Sequence, residues 1–269
     1  MLKKKIAMFS LFCAAFLFAV TGCNNSKNPV SPNGTNSPGS VSMMSKYSNN
    51  TASGMNKSSS VNAIDSIEIT SARIVLKDIK LEGVEKEHES EDSRSGMNKS
   101  DCRDEVNFKT GPVLLNLNLS GSLQQVTVSN IPYGTYRKVK FKIHTLQQSD
   151  LDSLSIADRV VFSDFLKDGG YSIIIEGNTY SNGTATPFTY KSDLNADMEI
   201  EFSPVLVVDD NNPNPNLTLE ISSEGWFKSY DGTLLDPGDS NNSAKIEANI
   251  QKSVHIYKDC NRDGHEDSD

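Results

Sequence analysis

The sequence predicts a mainly β protein: an antiparallel β-sandwich with one C-terminal helix and a disordered N-terminal tether. From residue 64 onward, apolar and polar residues alternate in at least seven segments separated by Gly, Asn and Pro turns, as they do in half-buried strands. From residue 24 to residue 60 the chain is dominated by Ser, Asn, Gly and Pro. Near the end, Ile246, Ile250 and Val254 recur at every fourth position, which is a helical spacing.

Residues 1–22 have the form of an export signal. Three lysines, Lys3 to Lys5, precede a run of 15 apolar or small residues, which is shorter than the roughly 20 residues that a membrane-spanning helix needs. The run closes on "VTGC", which resembles the lipobox of bacterial lipoproteins. That resemblance implies that Cys23 is acylated, carries palmitate-type chains and becomes the first residue of the mature chain. An ordinary secretory signal with a chance cysteine is the alternative.

The resemblance implies a membrane partner, reached through the lipid anchor, and a place in the bacterial cell envelope. Asn24 follows the cysteine, as in the outer-membrane class of these lipoproteins. The net charge of −9 becomes −12 once the three signal lysines are lost. Nucleic acid is excluded as a partner, because neutralising phosphates requires a basic face.

Residues 23–60 predict a flexible linker, and residues 61–269 predict one sandwich domain. The linker offers too few apolar side chains to offset the entropy of ordering it. In the domain, the predicted strands are 72–83, 113–119, 123–129, 137–145, 171–177, 196–202 and 216–222. The highly charged insert 82–105 predicts a long mobile connection. The second insert, 150–170, predicts a short helix that packs through Leu154, Val161 and Phe165.

The clearest strand lies in "NIPYGTYRKVKFKIHT". Its apolar residues alternate with Lys138, Lys140, Lys142 and His144, which are expected on the other face. A solvated strand face is the favoured interpretation, and a basic binding strip is the alternative.

A family resemblance follows from the order of five segments: "IEITSARIVL", "FKTGPVLLNLNLSG", "VSNIPYGTYRKVKFKI", "YSIIIEGNTY" and "FTYKSD". Together they resemble an uncharacterised all-β domain of bacterial surface lipoproteins. The "IPYGTY" turn is also similar to the P-x-G-x-Y turns of prealbumin-like sandwich modules. The resemblance implies the fold and no activity, since a fold alone does not supply a function.

The lack of known catalytic motifs in the sequence favours a protein that is not an enzyme. The sequence has no nucleophile elbow, zinc-protease motif, phosphate loop or C-x-x-C pair. Its four histidines are isolated from one another, and no pair of carboxylates stands out as a hydrolase pair. We therefore expect a non-catalytic sandwich that binds or scaffolds at the cell surface through an envelope protein or glycan. A hydrolase is the least favoured alternative.

Carbohydrate binding is the main alternative function. The single tryptophan, Trp226, is the ligand-binding candidate because it stands with Phe227 and Tyr230 in "SEGWFKSYDG", and aromatic faces stack on sugars. A hydrophobic plug at the end of the sandwich is the other interpretation of Trp226.

The C-terminal "DCNRDGHED" resembles the first nine positions of an EF-hand loop, with Gly264 at the turn. This resemblance implies a weak structural Ca²⁺ site that the helix enters near Tyr257. The remaining ligand would come from Asp269 or from the acidic insert at Asp101, Asp104 and Glu105. A frayed acidic terminus is the alternative. The implied ligands are Asp259, Asn261, Asp263, His265 through its carbonyl, and Asp267.

Two cysteines remain after the signal and the lipidation site are set aside. Cys102 and Cys260 are therefore the disulfide candidates in an oxidising compartment.

Overall fold

In the computed structural model, two sheets pack face to face as a β-sandwich, which confirms the predicted fold class. The structure describes residues 38–48, 64–84, 105–152 and 154–267. In chain order, the strands are β1 (Pro38–Ser48), β2 (Ser66–Gly83), β3 (Glu105–Asn116), β4 (Gln124–Pro132), β5 (Gly134–Ile143), β6 (Ile173–Ser181), β7 (Thr184–Ser192), β8 (Ala196–Val208), β9 (Asn216–Ser222) and β10 (Val254–Lys258). The α-helices are α1 (Ile156–Val160) and α2 (Ser243–Lys252).

The large sheet has the order β7-β6-β2-β5-β8, with β3 also paired to β2, and every pairing in it is antiparallel. The small sheet has the order β10-β9-β1-β4, in which β1 runs parallel to β9 and antiparallel to β4. One main core fills the space between the two sheets. In the described ranges, no helix combines the length and apolar character that crossing a membrane would require.

Strand β1 overturns part of the linker prediction, because Pro38–Ser48 lies inside the predicted flexible segment. The strand is bonded on both edges, so its backbone groups are satisfied by β4 and β9. Val41, Met43 and Tyr47 are buried in the core. Although the average composition of this segment is polar, its apolar residues occupy alternate positions and so face the core when the segment forms a strand. The rest of 23–60 lies outside the described residues.

Tyr136 closes the turn between β4 and β5. Its hydroxyl donates a hydrogen bond to the Pro132 carbonyl oxygen at 2.7 Å, four residues upstream. The same hydrogen bond, from a tyrosine hydroxyl to a backbone group a few residues upstream, fixes the corner of many Greek-key sandwiches. It ties the core face of β5, which buries Val139, Phe141 and Ile143 as predicted, to the small sheet.

The ends of the acidic insert are ordered, which corrects its predicted limits of 82–105. Glu82 and Glu105 are register partners at the ends of β2 and β3. Residues 85–104, with His88, Asp101, Cys102 and Asp104, lie outside the described residues. Mobility of that segment stays a prediction.

The second insert packs on the large sheet through Leu154 and Phe165 as predicted, but not through Val161. Phe165 is buried, but Val161 is exposed, and Phe162 takes its place beside Leu151 in a small separate core. The segment consists of 3-10 turns on either side of the five-residue α1. A 3-10 turn has three residues per turn rather than 3.6, so the spacing of the inward side chains changes.

Helix α2 is confirmed, but its predicted end is wrong. Ile246 and Ile250 are buried, and the helix ends at Lys252. Val254 instead begins β10, which pairs antiparallel with β9 over five residues. Alternating β-branched and aromatic residues in "VHIYK" favour a strand once a sheet edge is available. A strand, not a helix, therefore leads into the C-terminal loop.

Candidate functional site

The C-terminal loop is built around the buried carboxylate of Asp259. This side chain is fully buried and accepts hydrogen bonds from the Thr218 hydroxyl at 2.6 Å and from the backbone N–H groups of Asp263 and Gly264 at 3.0 and 3.1 Å. Gly264 has a φ of 79°, a conformation that disfavours residues with a Cβ. Asp259 thus fixes the turn from its inner side.

The other predicted calcium ligands also cap backbone groups of the loop. The Asn261 side-chain oxygen accepts from Asp263 N–H at 3.0 Å, and Asp263 accepts from His265 N–H at 2.8 Å. Asp267 accepts from Cys260 N–H at 2.6 Å. In the part of the chain that the structure describes, no three His, Cys, Asp or Glu side chains form a group that could hold a metal. Calcium binding therefore stays a prediction.

Glu105, one proposed source of the remaining calcium ligand, takes part in ion pairs on the large sheet instead. Its carboxylate pairs with Lys80 at 3.2 Å and Lys140 at 2.8 Å on the large sheet. Asp101, Asp104 and Asp269 lie outside the described residues.

Strand β1 is linked to this loop by a buried polar chain that the sequence did not reveal. Ser42 donates to the Asn216 side-chain oxygen at 2.7 Å, Asn216 donates to Thr218 at 3.3 Å, and Thr218 donates to Asp259. The Gly264 carbonyl oxygen also accepts from Lys46. The C-terminal loop is therefore bonded directly to the N-terminal strand.

Cys260 is disulfide-bonded in the structure. Cys13, Cys23 and Cys102 all lie outside the described residues, so the predicted pairing with Cys102 and the acylation of Cys23 stay predictions.

The interpretation of Trp226 as an exposed sugar platform is wrong. Its side chain has no exposed area, and its indole N–H donates to the Ser253 hydroxyl at 2.8 Å. Phe227 beside it makes edge-on contacts with Phe188 and Tyr190. Trp226 is a plug between α2 and the sandwich, because an indole is large, apolar and satisfied by one hydrogen-bond acceptor.

A groove of about 430 Å³ lies beside this plug. It runs from the end of β9 to the last turn of α2. Its lining residues are Ser222, Glu224, Gly225, Lys228, Asn249, Lys252 and Ser253. Polar and charged side chains thus line it, and it is open to solvent rather than enclosed.

The lysines of the groove differ from those of β5 in their ion pairing. On β5, Lys138, Lys140 and Lys142 all pair with carboxylates of neighbouring strands. Lys138 and Lys140 are largely buried in these ion pairs and only Lys142 is exposed, so the lysines form neither a fully solvated face nor a free basic strip. Across the described ranges, Lys228 and Lys252 make no ion pair.

The three histidines that the structure describes do not converge on a site. His144 is held by Asp150 at 2.8 Å, and Asp150 also pairs with Lys77 at 2.6 Å. Burial raises the pKa of Asp150, but the hydrogen bonds from Lys77, Gln147 N–H and His144 lower it further, so the net shift is downward. His255 and His265 are exposed. The carboxylate of Asp150 is therefore an ion-pair centre held in its charged form.

Comparisons with known protein families, with curated proteins and with solved structures gave no match to this chain.

Proposed function

We propose that this chain is a lipid-anchored bacterial cell-envelope protein whose β-sandwich binds or scaffolds at the cell surface without catalysing a reaction. The observation that carries the proposal is "VTGC" at the end of a short apolar run, as in lipoprotein signals. Cys23 holds the acyl chains, and Asn24 places the anchor in the outer membrane. Stable anchoring needs more than one acyl chain, because a single chain binds only marginally.

The distance from the anchor to the sandwich supports a surface role. Residues 24–37 separate Cys23 from β1, and 14 fully extended residues span at most ~50 Å. The sandwich therefore stays within that distance of the membrane. The tether is much shorter than a linker that runs to residue 60.

Detergent phase partitioning tests the anchor. The full chain with its own signal is expressed in a bacterium, and Cys23→Ser is expected to move the protein from the detergent phase to the aqueous phase or to block its processing. Cys13→Ser is the matched control, since it changes a cysteine of the signal outside the lipobox. Unchanged partitioning of the Cys23 variant would refute the proposal.

Carbohydrate binding is the second candidate function. Trp226 gives it no support, because the ring is buried. The observation that favours it is the polar groove beside Trp226, with two unpaired lysines and an exposed tyrosine nearby.

A further inference from the structure

We propose that the groove between the end of β9 and the last turn of α2 binds an acidic saccharide, a sugar chain that carries carboxylate groups. The inference rests on the proposed function in one respect only, that the sandwich faces a compartment where such glycans occur. Four features of the groove support the proposal. Its walls are held in place, two of its lysines have no ion-pair partner, it offers hydrogen-bond acceptors for sugar hydroxyl groups, and an exposed aromatic ring lies close by.

The walls of the groove are pinned to the buried plug. The Asn249 side-chain amide donates to the carbonyl oxygens of Trp226 and Lys228, at 3.1 and 2.8 Å. On the other side, the Ser253 hydroxyl accepts from the Trp226 indole and donates to the Ile250 carbonyl oxygen at 2.7 Å. A site whose lining is held in place before binding loses less conformational entropy when a ligand arrives.

The charges of the groove suit a carboxylate. Lys228 and Lys252 place two ammonium groups at its rim, and the described residues provide neither with an ion-pair partner. The lysines of β5, in contrast, are each paired across strands. The two cations are therefore free to bind an external anion.

The acceptors of the groove favour a polyhydroxylated ligand over a simple anion. Glu224 adds a carboxylate to the lining, and no donor within the described part of the chain bonds the Asn249 side-chain oxygen. Sugar hydroxyl groups can donate to these acceptors while a sugar carboxylate meets the lysines.

An aromatic ring stands next to the groove. Tyr230 has a relative exposure of 106% at the tip of a turn closed by Ser229 N–H donating to the Thr233 carbonyl oxygen at 2.8 Å. It follows the groove residue Lys228 by two positions, so their Cα atoms lie within ~7 Å of each other. A flat amphipathic ring in this position offers the apolar face of a sugar a surface to stack on.

Titration calorimetry of the full chain in detergent tests the proposal. The probes are an oligogalacturonate, a neutral malto-oligosaccharide and inorganic phosphate. We expect the oligogalacturonate alone to bind measurably. Lys228→Gln, Lys252→Gln and Tyr230→Ala should each raise its Kd at least tenfold. Lys245→Gln is the matched control, because Lys245 is exposed on α2 but does not line the groove; its Kd should change less than twofold.

Three outcomes would overturn the proposal: no binding of the oligogalacturonate, phosphate binding of equal strength, or equal weakening by Lys245→Gln. The last would mean that general surface charge, not the groove, holds the ligand. Thermal melting of each variant confirms that it is folded. The assay uses purified protein, so its failure leaves the Cys23 partitioning result untouched, and the two proposals are tested separately.

Discussion

Glu82 is a buried carboxylate held by two cations of β5. It has no exposed area and pairs with both Arg137 and Lys140. Burial raises the pKa of Glu82, but the hydrogen bonds and charges of Lys140 and Arg137 outweigh it, so the pKa lies below its ordinary value of 4.5. The same cluster lowers the pKa of Glu105 through hydrogen bonds from Lys140 and Lys80.

These lowered pKa values predict that the protein loses stability in acid. A carboxyl group whose folded pKa is depressed stabilises the fold above its unfolded pKa, and this contribution is lost as pH falls through the folded value. We expect the melting temperature to fall from pH 5 toward pH 3, and Glu82→Gln to reduce that dependence. At neutral pH, Glu82→Gln should cost ~1–3 kcal/mol, because Arg137 loses its carboxylate partner and Lys140 loses one of its partners.

Glu199→Gln is the control for this prediction, since Glu199 pairs with Lys138 at an exposed position, and exposed pairs contribute ~1 kcal/mol or less. Equal acid sensitivity of the wild type and Glu82→Gln would contradict the assignment.

At this scale, the sequence identified the segment beside the groove, but neither the residues that line the groove nor which aromatic ring is exposed. It pointed to "SEGWFKSYDG", and the structure buries Trp226 while leaving Tyr230 outside. Composition and spacing cannot distinguish the two, because which ring meets the core depends on α2, some twenty residues further along the chain. The Asn249 contacts that fix the groove are likewise long-range in sequence.

Among the elements, β1 shows what sequence patterns miss. Its alternation of Val41, Met43 and Tyr47 is visible, but small polar residues separate and surround them, so average composition points to a linker. The longer strands were predictable because Ile, Val and Phe alternate over many residues. In the same way, Val254 continues a helical spacing, and only pairing with β9 decides that it begins a strand.

A pair of neighbouring methionines tests the role of β1. Met43 has a relative exposure of 1%, whereas Met44 is only half-buried. We expect Met43→Ala to lower the free energy of unfolding by ~2–5 kcal/mol, as large-to-small core substitutions do, and Met44→Ala to cost clearly less. Chemical denaturation measures both. If the segment were a flexible linker, neither substitution would change stability, which is the result that would contradict the structure.

For the whole molecule, the two ends of the described chain meet in one sheet. β1 and the C-terminal loop are joined through Ser42, Asn216, Thr218 and Asp259, and Lys46 bonds the Gly264 carbonyl. A lipid anchor on Cys23, as proposed, would precede β1 in the chain and so would lead into the strand that is bonded to this loop. No local pattern could predict this link, since the parallel pairing of β1 with β9 joins residues 174 apart in sequence.

The disulfide prediction belongs to this scale, because a Cys102–Cys260 bridge would enclose 157 residues. Chain-entropy models give such a loop ~5 kcal/mol of stabilisation. We expect Cys102→Ser to lower stability by up to that amount and to leave Cys260 open to alkylation without reductant, as mass spectrometry would show. An unreactive Cys260 in that variant would mean that another cysteine is its partner.

The last prediction concerns calcium. A carboxylate oxygen has more than one lone pair, so the backbone bonds of Asp259 and Asp263 do not exhaust their capacity to bind a cation. We expect weak affinity, with a Kd of ~10⁻⁴ to 10⁻³ M as in extracellular modules. At a calcium concentration about ten times the Kd, the stabilisation is ~1.4 kcal/mol, which corresponds to roughly 3–6 °C in the melting temperature of a domain of this size.

Thermal melting of the full chain in millimolar calcium or magnesium measures this shift. Asp263→Ala should abolish the calcium effect. Asp231→Ala is the matched control, because Asp231 caps a different exposed turn through Thr233 N–H at 3.0 Å, and it should keep the effect. Because Asp259 is bonded through Thr218 and Asn216 to β1, a cation in the loop would also stabilise β1. Equal calcium shifts in the wild type and Asp263→Ala, or none in either, would show that the loop is a structural cap for β10 and β1 alone.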